Sequence, residues 1–139
     1  MTLDPDLVRT RCVEIEESLE RLRTMRTGTG REAFLADRDA QDIASYRLLV
    51  AIEAALALCY HISAKQLKQV PEGYAECFSL LAAAGIIPQD LCERLRRTAR
   101  FRNLLVHMYW KVDYGAVYDI LGAPLDDIQA FSRIVARLL

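Results

Sequence analysis

The sequence is poor in the residues that break or bridge a chain. Six Gly, four Pro and four Cys among 139 residues exclude collagen-like, low-complexity and disulfide-scaffold architectures. The cysteines, Cys12, Cys59, Cys77 and Cys92, form no C-x-x-C pair, and each sits in an apolar stretch where Cys behaves as a small hydrophobe. Reduced, buried thiols are expected. Histidine is scarcer still: with His61 and His107 alone, a multi-histidine metal site within one chain is excluded. Charge of one sign is also missing, because 18 Lys+Arg against 19 Asp+Glu leave a net −1, so any polyanion site must be local. Residues 1–6 have neither a basic nor an apolar leader pattern, and the uncharged run from Ala54 to Ala64 is only about half a membrane span. A soluble, cytoplasmic protein without a membrane partner is expected. A Gly-rich phosphate loop, H-E-x-x-H, G-x-S-x-G and paired E-x-x-H motifs are all absent, and no metal or other cofactor is expected.

What is present is apolar and helical. Hydrophobic residues make up 53% of the chain and charged residues 27%, enough for one core, and the length fits a single domain over residues 1–139. Asp4-Pro5 opens a helix, along which Val8, Cys12, Ile15, Leu19 and Leu22 recur at helical spacing to about residue 26. Gly28 and Gly30 are expected to stop it by taking the left-handed conformation. Arg38 to Gln69 contains neither Gly nor Pro and reads as one long helix, apolar on nearly all sides from Leu48 to Ile62. It is the central helix of a bundle or part of a subunit interface. A short helix follows from Tyr74 to Ala84, ended by Gly85, and a further helix spans about 88 to 108. Asp113 caps a short helix to Leu121, and Pro124 opens the last, with Ile128, Phe131, Ile134, Val135 and Leu138 on one side. No segment alternates with period two. The expected architecture is all-α: an up-and-down bundle of four principal helices plus one or two short ones.

Chemistry concentrates between Arg94 and Tyr109, where Arg94, Arg96, Arg97, Arg100 and Arg102 fall in nine residues without an acid among them. On an ideal helix Leu91, Leu95, Thr98, Phe101 and Leu105 mark the packed face, and Arg96, Arg100, Asn103 and His107 gather opposite. Asn103 precedes His107 by four residues, within reach to orient the ring. Arg102 projects into the apolar sector, where a guanidinium needs a partner, a cleft or a bound anion. Arg102 and His107 lie about 140° apart and about 7.5 Å along the axis, a divergence that favours a composite site across a two-fold axis of a homodimer. Plainer readings stand beside these. His107 caps a helix C-terminus, the arginines form a solvated face, Arg102 pairs with Glu53 on the central helix, His61 is a satisfied core or interface histidine, and Tyr109, Trp110 and Tyr114 are packing aromatics.

Arg102-Asn103-Leu104-Leu105-Val106-His107-Met108-Tyr109 resembles the R-N-x-L-V-H-x-Y signature of HepT-like proteins within the HEPN class of helical domains. Val50-Ala51-Ile52-Glu53-Ala54, Pro71-Glu72-Gly73-Tyr74, Phe78-Ser79-Leu80-Leu81 and Gly85-Ile86-Ile87-Pro88 are similar to that family's pattern as well. The likeness covers about residues 40 to 121, and the N-terminal helix only in kind. It implies a dimeric, metal-independent endoribonuclease, acting on tRNA or mRNA as the toxin of a toxin-antitoxin pair. Arg102 and His107 match the family's catalytic residues and Asn103 the polar residue inside the motif. Tyr109 matches the tyrosine that a partner nucleotidyltransferase antitoxin, of the MntA type, modifies with AMP. Ala57 departs from the pattern, standing where many relatives carry an acid.

These residue types suit the implied reaction. RNA brings its own nucleophile, the 2′-hydroxyl, so cleavage needs a base for its proton and donors for the charge on phosphorus. His107 is the natural general base or acid, Arg102 holds the scissile phosphate, and Arg96 and Arg100 position the strand. The alternative from another class is a non-catalytic adaptor: a helical dimer that binds a nucleotide or docks a small nucleotidyltransferase with the same side chains. A third is a helical dimerisation module whose motif is structural.

Overall fold

A computed structural model describes residues 2–107 and 109–139, apart from the side chain of Tyr109. Met108, inside the signature, lies outside the described residues. The helices are α1 (Pro5–Gly28), α2 (Arg31–Leu35), α3 (Arg38–Lys65), α4 (Tyr74–Ala83), α5 (Gln89–Ala99), α6 (Phe101–His107), α7 (Tyr114–Ile120) and α8 (Ala123–Arg137), with a 3₁₀ turn at Tyr109–Lys111 between α6 and α7. No strand occurs among the described residues, and the all-α bundle stands as expected.

Local chemistry explains most boundaries. The Asp4 carboxylate accepts from the amides of Asp6 and Leu7 at the start of α1, and Asp113 does the same for Gly115 and Ala116 at α7. Gly85, at φ 76°, ends α4 by the double bond of a Schellman turn: its amide donates to Ala82 and that of Ile86 to Leu81. The stop after α1 differs from the expected one. Neither Gly28 nor Gly30 takes positive φ, and the helix ends because Thr29 is extended. Between α1 and α3 the chain forms the additional short helix α2 around buried Phe34.

Helix α3 is long and apolar enough to cross a bilayer, but half of its most apolar window is buried inside the bundle. It packs against α1, α2, α4, α6, α7 and α8, which is why its apolar surface extends all round. Val8, Ile15, Leu19 and Leu22 of α1 and Ile128, Phe131 and Val135 of α8 are buried as the periodicity required. At the centre the rings of Phe78 and Phe131 meet edge to face, 5.5 Å between centroids. Phe131→Ala should therefore cost about 3–5 kcal/mol of stability, the scale for emptying a packed aromatic site, read by chemical denaturation. A loss below about 1 kcal/mol would mean that the core collapses into the gap.

The four cysteines are free thiols, three of them buried. Burial pushes the Cys59 thiol far above its ordinary value, which keeps it protonated and unreactive. His61 is satisfied rather than catalytic, its Nε2 accepting the Asp4 amide at 2.9 Å and tying α3 to the start of α1.

The helix expected over 88–108 is interrupted. Helix α5 stops at Ala99 and α6 starts at Phe101, with Arg100 between them at φ −58°, ψ −30°. The dihedrals remain helical, so the interruption is a local break in hydrogen bonding that needs neither Gly nor Pro. Its consequence is a change in burial. Leu91, Cys92, Leu95, Thr98 and Ala99 of α5 are buried, whereas α6 has no fully buried residue.

Candidate active site

Helix α6 carries Arg102, Asn103 and His107 on a half-exposed segment braced by α3 and α5. Arg102 turns toward α3, and its Nε donates to Glu53 Oε1 at 2.5 Å. Its Nη1 donates to Asn103 Oδ1 at 3.1 Å. The partner required for a guanidinium in this sector is thus Glu53, as the plainer reading of Arg102 had it. Both side chains of the pair stay in partial contact with water, 34% exposed for Arg102 and 46% for Glu53. The pair orients Arg102 without sealing it, and two of its five N–H donors are engaged among the described residues.

A cavity of about 480 Å³ opens beside this pair. Its walls come from three parts of the chain: Glu53, Leu56, Ala57 and Tyr60 from α3, Gly73 and Tyr74 from the start of α4, and Arg102 with Asn103 from α6. Glu53, Ala57 and Tyr60 are spaced i, i+4, i+7, which places them along one face of α3. Glu53 thus places a carboxylate one turn before Ala57 on the wall of the cavity. The Tyr60 phenol is pushed above its ordinary value by burial first and then by the Cys77 and Cys59 thiols and the Glu53 carboxylate, against the opposing pull of Arg102. It remains protonated at neutral pH.

The structure does not bring every expected residue to this place. His107, exposed at the end of α6, is not among the residues lining the cavity. The amide of Asn103, expected to orient the imidazole, has its oxygen on Arg102 instead. An adjacent residue on the same helix reaches the guanidinium because Arg102 bends toward Glu53. Arg100 sits exposed in the break between α5 and α6, with helical dihedrals. Arg96 lies 3.9 Å from Glu93, one turn back on α5, and its Nε is buried without a hydrogen-bond partner among the described residues. Arg94 is committed to the bundle through Asp127 at 3.0 Å and Asp90 at 3.2 Å. The Tyr109 side chain lies outside the description. Its backbone opens the 3₁₀ turn that follows α6.

Tyr60 escaped the sequence reading, and Tyr74 entered it only within the Pro71-Glu72-Gly73-Tyr74 likeness, without a role. The helical spacing of Tyr60 from Glu53 was a usable signal. Nothing in the sequence tied Tyr74 to Arg102.

The chain is similar to known proteins over nearly its whole length. Over 130 residues the chain is 25% identical to a Shewanella oneidensis protein named mRNA nuclease HepT, covering 94% of this chain and 96% of that one. A tri-AMPylated Shewanella oneidensis HEPN toxin, solved in complex with MNT antitoxin, matches with a TM-score of 0.86 at 23% identity, over 95% of this chain and 98% of that one. The Bacillus subtilis protein YutE, a cytosolic protein of unknown function, matches with a TM-score of 0.85 at 16% identity, over 99% and 92% of the two chains. These solved structures share the fold. Residues 15–135 match the family described as ribonuclease HepT-like, and the chain belongs to that family.

Proposed function

We propose that this protein is a metal-independent endoribonuclease, the toxin of a toxin-antitoxin pair, acting on mRNA or tRNA as a homodimer. The observation that carries the reading is the Arg102 guanidinium, held by Glu53 and Asn103 at the rim of an open cavity, five residues before His107 on the same short helix. The family and the relative named mRNA nuclease HepT support it.

His107 takes the proton of the RNA 2′-hydroxyl, whose oxygen then attacks the adjoining phosphorus. The bond from phosphorus to the 5′-oxygen breaks, the leaving oxygen receives a proton, and a cyclic phosphate remains on the other fragment. Arg102 offers planar donors to the phosphate oxygens as their charge grows, with Asn103 as its support, and Arg96 and Arg100 draw in the strand. Tyr109 is the acceptor for AMP transferred by an MntA-like nucleotidyltransferase antitoxin, supported by the tri-AMPylated state of the Shewanella toxin. A cytoplasmic location belongs to the same reading, in line with the cytosolic relative.

The test is incubation of the purified protein with tRNA and mRNA in the presence of a chelator. Cleavage leaving a cyclic-phosphate end is expected. Tight nucleotide binding without cleavage would replace the ribonuclease with the adaptor.

The homodimer reading is supported by the placement of the two proposed catalytic residues, Arg102 paired with Glu53 on α3 and His107 exposed at the end of α6. Val106 at 39% and Trp110 at 66% exposure add apolar surface on either side of His107, where a second copy would bury it. Light scattering at micromolar concentration should give about 32 kDa, twice the 15.8 kDa chain. A strict monomer would remove the composite site.

A further inference from the structure

The cavity beside Arg102 has walls that phosphate chemistry does not use. Leu56 and Ala57 make part of it apolar, and Tyr60 and Tyr74 bring two aromatic rings to it from different helices. We propose that this cavity is a nucleobase subsite, in which Tyr60 and Tyr74 hold an unpaired base of the RNA while Arg102 at the rim holds the adjoining phosphate. The inference rests on the ribonuclease reading and deepens it by naming single-stranded RNA as the substrate class.

Size, composition and charge agree. The volume of about 480 Å³ falls within the roughly 300–1,000 Å³ of small-molecule clefts. Such sites combine apolar and aromatic walls with a few polar groups that fix orientation. Here Glu53 and Asn103 are the polar groups, offering a carboxylate acceptor and an amide to the edge of a base. Aromatic side chains beside a cationic group are the usual means of holding unpaired bases, because every base has a π-face. Tyr60 is 37% exposed, so its ring is open to a ligand. Its phenol is neutral at physiological pH and adds no negative charge to oppose the RNA. A Cβ built on Gly73 meets nothing within 4 Å, which leaves that wall open. In an A-form duplex the base faces are stacked and unavailable, so only unpaired RNA fills the cavity.

The other hollows suit an RNA less well. The one between α1 and α3 is lined by Glu17 and Glu20 as well as Arg21 and Arg47 and by no aromatic residue, so it offers a base no ring to stack on. The one lined by Arg94, Arg97, Phe101 and Asp127 has a single aromatic ring, and its Arg94 and Asp127 are paired with each other.

The experiment compares two uncleavable strands of equal length, a 2′-O-methyl oligoribonucleotide with all its bases and the same ribose-phosphate strand without any. The wild-type protein should bind the strand with bases about tenfold or more tightly than the abasic one, the scale of one base–aromatic stack. Tyr60→Leu and Tyr74→Leu should each weaken binding of the strand with bases and leave binding of the abasic strand unchanged. A merely structural role for the tyrosines would lower both affinities alike. Tyr60→Phe, which keeps the ring, should recover most of what Tyr60→Leu loses. Equal affinity of the wild-type protein for the two strands would overturn the subsite, as would a base preference that survives in both leucine variants. Cleavage of the unmethylated strand is scored in parallel. Its absence would sink the ribonuclease reading, while the affinity ratio still decides on the subsite.

Discussion

Alanine at His107 or at Arg102 should lower RNA cleavage by about 10²-fold or more and relieve growth arrest, without a matching loss of stability. The rate estimate is the usual contribution of a positioned acid or base for His107, and of a preorganised donor to a charged transition state for Arg102. The stability estimate comes from where the two side chains sit. His107 is exposed, on a helix with no fully buried residue, so its truncation opens no cavity and forfeits at most a favourable dipole contact of about 0.3–1 kcal/mol. The Arg102–Glu53 pair is about one-third to one-half exposed, and removing the guanidinium leaves Glu53 free to be hydrated, at a cost on the order of 0–1 kcal/mol. Loss of activity can therefore be separated from loss of fold by melting the variants alongside cleavage assays. A His107→Ala protein that melts like the wild type and cleaves RNA at the wild-type rate would refute the mechanism.

The fold was legible where one residue type had one physical use. Asp4 and Asp113 cap because a carboxylate satisfies amides that the first helical turn leaves open. Gly85 ends α4 because its φ of 76° strains any residue with a side chain. Legibility failed where tertiary packing decided between near-equal local choices. Gly28 continues α1 to its last turn, and the chain leaves the helix through an extended Thr29. The break at Arg100 has no breaker residue at all, and its dihedrals differ little from those of the helices on either side. No local propensity distinguishes such a site from an unbroken helix.

The candidate site divides along the same line. A guanidinium projected into an apolar sector demands a counter-charge, and this made Glu53 legible across 49 residues of sequence. For Asn103 an ideal helix predicts contacts four residues apart, whereas its amide oxygen accepts from the neighbouring Arg102, whose guanidinium also reaches Glu53 on α3. Tyr74 was quoted only for its family likeness, and its place beside Arg102 was invisible for a simpler reason: the cavity exists only once α3, α4 and α6 are packed, and no spacing along one element encodes a wall supplied by another. The arginine stripe was read on one continuous helix over 88–108, and Arg100 at the break keeps helical dihedrals and is exposed. Arg96 and Arg100 remain strand-binding candidates on charge alone.

Tyr109→Phe should leave the protein toxic while freeing it from an antitoxin that acts by covalent modification. The proposed modification joins the phenolic oxygen of Tyr109 to the α-phosphorus of ATP with loss of pyrophosphate, leaving a phosphodiester and an adenosine on the side chain. The acceptor stands two residues after His107, at the head of the 3₁₀ turn that follows α6. A group added there introduces a negative charge that competes with RNA phosphate for the Arg102 guanidinium, and a purine large enough to obstruct the approach to the cavity. Both effects oppose substrate binding, and neither requires the fold to change. Phenylalanine keeps the ring and whatever packing it makes but removes the oxygen that attacks phosphorus. Coexpression with a cognate nucleotidyltransferase, followed by intact-mass measurement and growth assays, checks the argument. Wild-type protein should gain mass in steps of one AMP and lose its toxicity, and Tyr109→Phe should gain none and retain it. Neutralisation of wild type without any mass increment, or equal neutralisation of Tyr109→Phe, would show that the antitoxin silences this protein by binding alone.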